Sequence, residues 1–482
     1  MSATISIERP PFHFPCIVDG EALDREARIL VRYPYTGEVI GSAPRLGPDD
    51  VLRAIRAGAA AAPRLSRHER SQILLRTAAR IEREAEQVSR LITWESGLCR
   101  KDTAHEVRRA LDVLRFAAYE ALRDDGECLS FDTSENGKPR RGYTLREPLR
   151  LVAAITPFNH PLNQVAHKIA PAIASSNCVV LKPSERTPLS AIYLVNALLE
   201  EGLPGGMLHV VTGDPAEIGP LLVTHPAIEL VSFTGGVTIG KRIAEALGYR
   251  RAILELGGND PLIVLDDADL EEATRLAVQG AFKNSGQRCT AVKRLIVTAR
   301  VADELAARLT EASAALRVGD PQDPSTDMGT VISEQAAIAL ERAANDTLAR
   351  GAKLLLGNTR RGALYGPTVM DHVPPDAPSV QEETFGPHAP ILRVRDVDEA
   401  IRVANGTSYG LSAGVCTNDL RLAHRLVREL RCGTVNIREV PGYRSEISPF
   451  GGIKDSGIGV KEGVIEAMKA MTHVKLYTIP WD

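Results

Sequence analysis

Neither sign of charge is in excess: 58 basic and 61 acidic residues leave a net charge of −3. A general attraction to nucleic acid or to an anionic membrane surface is therefore not expected, and any basic feature must be local. No uninterrupted apolar run is long enough to cross a bilayer, and the start, MSATISIERPPF, carries no apolar signal core. A soluble cytoplasmic protein is the expectation. Cysteine is sparse and irregular. The seven residues Cys16, Cys99, Cys128, Cys178, Cys289, Cys416 and Cys432 form no CxxC pair and no ladder of spacings, which favours reduced thiols over a disulfide framework or a zinc site. His13 and Cys16 make an isolated pair near a terminus, so no metal is expected. Internal repeats and low-complexity tracts are absent too.

The length of 482 residues allows about three domains. From Ile17 to Ile40 short apolar runs alternate with turn signals at Asp19-Gly20 and Thr36-Gly37, as a leading hairpin or edge strands would, kept short by Pro34 and Pro44. From Asp49 the apolar period lengthens. Val51, Ile55 and Ala59 mark one helix, Ile73, Thr77, Ile81, Ala85 and Val88 a second, and a third runs from about Thr103 to Leu122. Gly126 to Leu149 is polar, with Asn136-Gly137 as a hairpin turn, and reads as a two-stranded arm that cannot bury much of its own surface.

From Leu151 to Leu256 strands alternate with helices. The strands are Leu151 to Ile155, Cys178 to Leu181, Leu208 to Val211, Leu230 to Phe233 and Ala252 to Leu256; the helices lie around 166–174, 189–199, 218–223 and 238–247. This alternation predicts a parallel, doubly wound α/β sheet, whose ligands bind outside the carboxyl ends of its strands. Two of those ends suit a nucleotide. Lys182 and Glu185 follow one strand, and a carboxylate there accepts hydrogen bonds from ribose hydroxyls while repelling a 2′-phosphate. The string FTGGVTIG, Phe233 to Gly240, joins a strand to a helix, where glycine lets a pyrophosphate approach the helix N-terminus. After the hinge candidate Gly257-Gly258, a second alternating region runs from about Pro261 to Gly457. Its strands are expected at 262–265, 295–298, 389–394 and 413–416, and its long helices at 270–282, 302–316 and 334–350.

Cys289 is the candidate nucleophile. It lies in the segment NSGQRCT, Asn284 to Thr290, on a turn-forming stretch behind a helix. A thiolate is a good nucleophile and a competent leaving group, which suits chemistry through a thioester. A lone cysteine is more often a small buried hydrophobe, but its neighbours oppose that reading. Asn284 and Gln287 are polar where a core segment would be apolar, Gly286 lets the backbone approach a ligand, and Arg288 adds a charge that favours the thiolate.

That segment, with TPFNHP at Thr156 to Pro161, KPSE at Lys182 to Glu185, LELGG at Leu254 to Gly258 and EETFGP at Glu382 to Pro387, resembles the aldehyde dehydrogenase superfamily. The motifs follow the family's order from about Asp19 to the C-terminus. The resemblance implies an α/β fold with a Rossmann-type cofactor domain over 1–125 and 147–256, an α/β catalytic domain over 257–457, and a β oligomerisation arm with its strand over 126–146 and 470–482. His473 to Ile479 would be the strand that pairs with the arm. In the family the matching arm also meets a neighbouring subunit, so a homodimer or homotetramer is implied; from the residues alone, a surface hairpin of a monomer stays open.

The implied reaction is NAD-dependent. Cys289 attacks the aldehyde carbon, the Asn159 side-chain amide and the Cys289 backbone amide hold the oxyanion, and Glu255 activates the water that hydrolyses the thioester, with Lys168 in the proton network. Taken singly, Glu255 reads as an ion-paired acid at a strand end and Lys168 as a helix-surface lysine. Relatives that pass the acyl group to coenzyme A generally lack this glutamate, so a carboxylate product is implied. The cofactor would lie against Thr156, Pro157, Phe158, Lys182, Ser184, Glu185, Gly213, Phe233, Thr234, Gly235, Gly236, Gly240, Glu255, Leu256 and Gly257, with Glu383 on the nicotinamide ribose and Phe385 beside it. Gly236 departs from the family's commonest form, which has serine there and a side-chain phosphate contact with it. NAD is expected over NADP, a preference that Arg186 beside Glu185 softens.

Aromatic residues are only 4% of the chain, whereas family members for apolar substrates line the funnel with them. Here His160, Arg288 and Arg444 stand at or near the matching positions, with Thr290 after the nucleophile and Arg108 on the helix that borders the funnel in similar enzymes. Arg108 on its own reads as part of a solvated helix face. Clustered arginines suit a carboxylate or a phosphonate through paired, charge-assisted hydrogen bonds. The NHP string beginning at Asn159, Arg288 directly before Cys289, and Arg444 most resemble the subfamily that oxidises phosphonoacetaldehyde. Succinic semialdehyde and sulfoacetaldehyde are the alternative small anionic aldehydes. A relative that keeps the fold without the chemistry is the alternative of another class, opposed by the presence of Cys289, Glu255 and Asn159 together.

Overall fold

The computed structural model describes residues 5–62 and 65–481; the expectations placed on residues 1–4, 63–64 and 482 lie outside the described residues. Two seven-stranded sheets organise the chain. In the first, five parallel strands follow the order Arg251–Glu255, Leu230–Thr234, Leu151–Ile155, Cys178–Lys182 and Leu208–Val210, and the antiparallel hairpin Cys16–Val18 with Glu21–Leu23 closes one edge. These strands are nearly continuous apolar runs because helices cover both faces of the sheet. Leu151–Ile155 has later strands on both sides, so the winding reverses there and leaves a crevice at the carboxyl ends. Register places Ile155 beside Lys182 and Phe233, and Thr234 beside Glu255. One row of strand ends thus gathers the groups that the sequence motifs had scattered.

The expected second helix is two helices. Arg67–Arg83 starts at a reciprocal cap, in which Glu69 N donates to Ser66 Oγ at 3.2 Å and Ser66 N donates to the Glu69 carboxylate at 2.6 Å. It stops at Glu84, and Ala85–Ser96 then runs to Gly97, whose φ of 73° terminates it. Ile73, Ile81 and Val88 share one core across the break, which is why the apolar period continues through it. The third helix, Arg100–Glu120, packs on Asn163–Ala174.

The second sheet follows the order Lys353–Leu356, Thr368–Asp371, His388–Val394, Val292–Thr298, Asp260–Val264, Ser412–Cys416 and Thr434–Ile437, with only the first strand antiparallel to its neighbour. Apolar clusters lie on both of its faces. After Gly457 the chain returns to the first core through helix Val464–Ala470, where Val464, Ala467 and Met471 are buried. The arm strands are Cys128–Ser130 and Arg140–Pro148. The strand expected over His473–Ile479 runs Thr472–Pro480, antiparallel to Arg140–Pro148 and paired along its whole length, with Tyr143 stacked on Tyr477. Asn136-Gly137 sits within a longer connection, where Lys138 N donates to Phe131 O at 3.1 Å, rather than in a two-residue turn.

Candidate active site

The segment before Cys289 has an unusual backbone. Asn284, Ser285 and Gly286 all have left-handed φ, at 62°, 51° and 67°, and two of the three are not glycine, so surrounding contacts must hold them there. The contacts are present. Asn284 N donates to Asp102 Oδ2 at 2.8 Å, the Asn284 amide donates to Asn159 O at 2.9 Å, and the Asn159 amide donates to Gln287 O at 2.8 Å. Ile332 N donates to Gln287 Oε1 at 2.8 Å. A Cβ on Gly286 would stand 2.2 Å from Gly386 O, so this turn is pressed against the EETFGP segment. Asn159 uses one amide N–H to fix the loop and keeps a second for another acceptor.

Cys289 is partly exposed. Burial of the thiol pushes it up to about 12, with Glu383 and Asp260 adding to the effect, and Arg444 supplies the opposing positive charge. The resting group is a thiol. Arg444 is the cation that favours its ionisation most, and Arg288, expected to favour the thiolate, also acts on it through its charge. Arg288 donates from Nη2 to Gln279 O and Gly280 O, at 3.0 and 2.7 Å, leaving its buried Nε without a partner.

Glu255 ends strand Arg251–Glu255 with both carboxylate oxygens buried and unpartnered. Burial, with Glu462 adding to it, raises it well above the ordinary carboxylate range, so it rests protonated. It is not the ion-paired strand-end acid that the residue alone suggested. Lys168 is fully buried rather than on a helix surface, and donates to Ser232 Oγ at 3.1 Å and Glu462 Oε1 at 3.0 Å.

A groove of about 600 Å³ lies along the carboxyl edge of the first sheet. Thr156, Lys182, Ser184, Glu185 and Phe233 line one part of it, and Ile239, Arg242 and Ile243 of helix Val237–Leu247 line another. Lys182 Nζ is 3.8 Å from the half-exposed Glu185 carboxylate. Gly235 N is tied to Glu255 O at 3.0 Å, and Gly236 caps the helix with open space where a Cβ would stand. Thr234 Oγ1 is buried without a partner. Gly240 permits close packing on Leu256, and Gly213 packs on Leu46 O. Glu383 accepts from Gly258 N at 3.0 Å and lies so close to Gly257 that a Cβ there would meet its carboxylate at 2.4 Å. Burial raises Glu383 to about 7. Phe158 meets Phe385 edge-on, with ring centroids 5.8 Å apart, and Pro157 connects Thr156 to that pair. An apolar-walled groove with a carboxylate at one strand end, an open helix N-terminus and a second carboxylate beyond it fits a dinucleotide.

On the substrate side, Arg444 is partly buried, with its guanidinium 3.6 Å from the Phe450 ring centroid and its Nη1 buried without a partner. Its loop folds back through Asn436, whose amide donates to the carbonyls of Val440, Pro441 and Tyr443, each at 3.0 Å. Gly442 of that loop rests on Thr290, where a Cβ would stand 2.4 Å from Oγ1. His160 lies 3.5 Å from Glu106, and burial lowers it, so its ring is neutral at pH 7. Arg108 is exposed and forms no hydrogen bond or ion pair among the described residues; its neighbour Arg109 is the one that reaches this loop, donating to Glu446 at 2.5 and 3.2 Å. Arg109, which the sequence shows beside Arg108 on a helix face read as solvated, was not a candidate there, and neither were His167, Glu446 and Glu462. The only signal for Glu446 is its position two residues after Arg444.

A cysteine held against the LELGG segment at the end of a sheet strand, together with a groove that fits a dinucleotide, suits an oxidoreductase. The chain belongs to the aldehyde dehydrogenase family, whose family model matches residues 22–477. It is 40% identical over 454 residues to aspartate-semialdehyde dehydrogenase 1 of Pseudomonas canavaninivorans, covering 94% of this chain and 96% of that one. It is 36% identical over 463 residues to 3-sulfolactaldehyde dehydrogenase of Priestia aryabhattai, covering 96% and 97%. Among solved structures, the NADP-dependent glyceraldehyde-3-phosphate dehydrogenase of Bacillus halodurans C-125 complexed with NADP superposes with a TM-score of 0.94 at 39% identity, covering 98% of this chain and all of that one. No helix among the described residues is long and apolar enough to cross a membrane, and none of their His, Cys, Asp and Glu side chains group as a metal site would.

Proposed function

We propose that this aldehyde dehydrogenase oxidises a small anionic aldehyde to its carboxylate with NAD, with phosphonoacetaldehyde as the substrate and phosphonoacetate as the product. The observation that carries the substrate class is the buried, unpartnered Nη1 of Arg444, whose charge acts on both Cys289 and Glu255. A buried cation with a free N–H donor wants an anion. Sulfonate and carboxylate tails make the second reading, favoured by the names of two relatives, a 3-sulfolactaldehyde and an aspartate-semialdehyde dehydrogenase. Arg288, with one buried nitrogen unpartnered, is the secondary contact, and His160 offers a neutral ring donor.

In this mechanism Cys289 Sγ gives its proton to solvent water and attacks the aldehyde carbon, while the spare Asn159 amide N–H and the Cys289 backbone amide receive the oxyanion. Lys182, Glu185 and Gly236 would hold the adenosine and pyrophosphate end of the cofactor, and Glu383 the nicotinamide ribose. A nicotinamide bound there supplies the hydride acceptor, and loss of hydride leaves a thioester on Cys289. Glu255, once relieved of its own proton, takes one from water for hydrolysis, and the charges of the Lys168–Glu462 pair act on it. Glu185 favours NAD because a 2′-phosphate would be repelled there. The exposed Val474, Leu476, Tyr477 and Ile479 of the C-terminal strand, with Trp481 just after it, support a homodimer or homotetramer. Steady-state kinetics of Arg444→Ala test the substrate class: the KM for the anionic aldehyde should rise, and an unchanged KM would refute it.

A further inference from the structure

The loop that carries Arg444 is fastened by a carboxylate two residues further on. Glu446 is buried. Its Oε1 accepts from Arg109 Nε at 2.5 Å, and its Oε2 accepts from Arg109 Nη2 at 3.2 Å. His167 Nε2 lies 2.6 Å from the same Oε2. One side chain thereby ties the loop to two helices, Arg100–Glu120 and Asn163–Ala174. Arg444 Nε stands 3.9 Å from Oε2, beyond hydrogen-bond reach.

That last distance matters. A carboxylate this close to a buried guanidinium ordinarily engages it as a two-pronged pair, which would consume the N–H groups that an anionic ligand needs. Here Arg109 and His167 occupy Glu446 instead. Arg444 feels the carboxylate's charge without surrendering its donors, its plane is set by the Phe450 ring, and Nη1 stays free.

We propose that Glu446, occupied by Arg109 and His167, is the positioning residue that presents the free Nη1 of Arg444 to the anionic tail of the aldehyde. The inference rests on the anionic-aldehyde reading above. Sequence spacing does not reveal it, because its two other partners lie far away in the chain.

The test compares Glu446→Gln, Glu446→Asp and His167→Gln with Arg444→Ala. The glutamine keeps size and loses the charge-assisted bonds. In Glu446→Gln the KM for the anionic aldehyde should rise about ten-fold, the effect of misaligning one charge-assisted hydrogen bond, and the KM for an uncharged aldehyde of similar size should rise less. Glu446→Asp should recover part of the loss. His167→Gln, which exchanges the imidazole for an uncharged amide and so weakens its hold on Glu446, should shift the same way by a smaller factor and serves if Glu446→Gln does not fold. A role through charge alone predicts the reverse sign, because removing a negative charge beside Arg444 would tighten anion binding.

A second readout is independent of the aldehyde: the rate of Cys289 alkylation by iodoacetate relative to iodoacetamide. This ratio should fall in Arg444→Ala and in Glu446→Gln. If the wild type shows no preference for anionic aldehydes while the ratio falls in both variants, the substrate reading fails and the positioning role stands. If the ratio falls in Arg444→Ala but is unchanged or higher in Glu446→Gln and His167→Gln, the positioning role is overturned.

Discussion

Gly258 meets Cys289 backbone to backbone: a Cβ on Gly258 would stand 2.0 Å from the Cys289 carbonyl oxygen. The end of the LELGG motif is thus the floor on which the nucleophile rests, and it has no room for a side chain. Gly258→Ala should move the thiol and lower kcat by about 100-fold or more, the effect of misplacing a reacting group by roughly 1 Å. The thiol stays chemically present, so quantitative titration of Cys289 in the unfolded variant alongside turnover of the folded one separates displacement from loss.

Glu255 gives two expectations. Because burial raises its folded pKa above the unfolded value, folding takes up a proton at pH values between the two. The stability this group contributes is fully present below the unfolded pKa of about 4.3 and falls as pH rises through the range up to the folded value. Glu255→Gln carries no such proton, so its melting temperature should match the wild type at acidic pH and exceed it increasingly towards neutrality. The same variant lacks the base for thioester hydrolysis and should give a burst of NADH close to one equivalent per subunit, followed by a much slower steady rate.

The fold was legible in the sequence more fully than the site. Apolar strand runs and the glycine strings located the first sheet, because burial on both faces leaves a plain signature over Leu151–Ile155 and Cys178–Lys182. The helix break at Glu84 was not legible, since Ile73 and Val88 pack into one core on either side of it. The choice between Arg108 and Arg109 could not be made from spacing: adjacent residues point about 100° apart on a helix, and only the approach of Glu446 shows which one faces inward. The hydrogen bonds of Arg288 were hidden for a related reason: its place before Cys289 is visible in the sequence, but not the carbonyls of Gln279 and Gly280 near the helix end to which it donates.

Cys289 is held as a thiol, with burial pushing it up to about 12. Its thiolate fraction should therefore climb about ten-fold per pH unit through the neutral range, and the rate of alkylation by iodoacetamide should follow. Arg444→Ala removes the opposing positive charge and should slow that alkylation at every pH. A rate that levels off near pH 7 would contradict this electrostatic reading.

Gly236 offers a substitution that should be tolerated. It caps helix Val237–Leu247, and a Cβ there meets nothing within 4 Å. Gly236→Ser should change stability by only a few tenths of a kcal/mol and lower the KM for NAD by supplying a hydroxyl near the pyrophosphate. A higher KM would place the pyrophosphate elsewhere.

Removing the C-terminal strand from Thr472 onward strips the partner from Arg140–Pro148 over its full length. Light scattering should then show smaller particles than the wild type. A wild type that is already monomeric would remove the proposed oligomeric role of the arm.

The most direct test of the central claim is the initial rate of NADH formation with NAD, comparing phosphonoacetaldehyde, sulfoacetaldehyde, succinic semialdehyde and an uncharged aldehyde of similar size. The account predicts a large preference in kcat/KM for the anionic aldehydes, greatest for phosphonoacetaldehyde and lost in Arg444→Ala. Equal or better use of the uncharged aldehyde would contradict it.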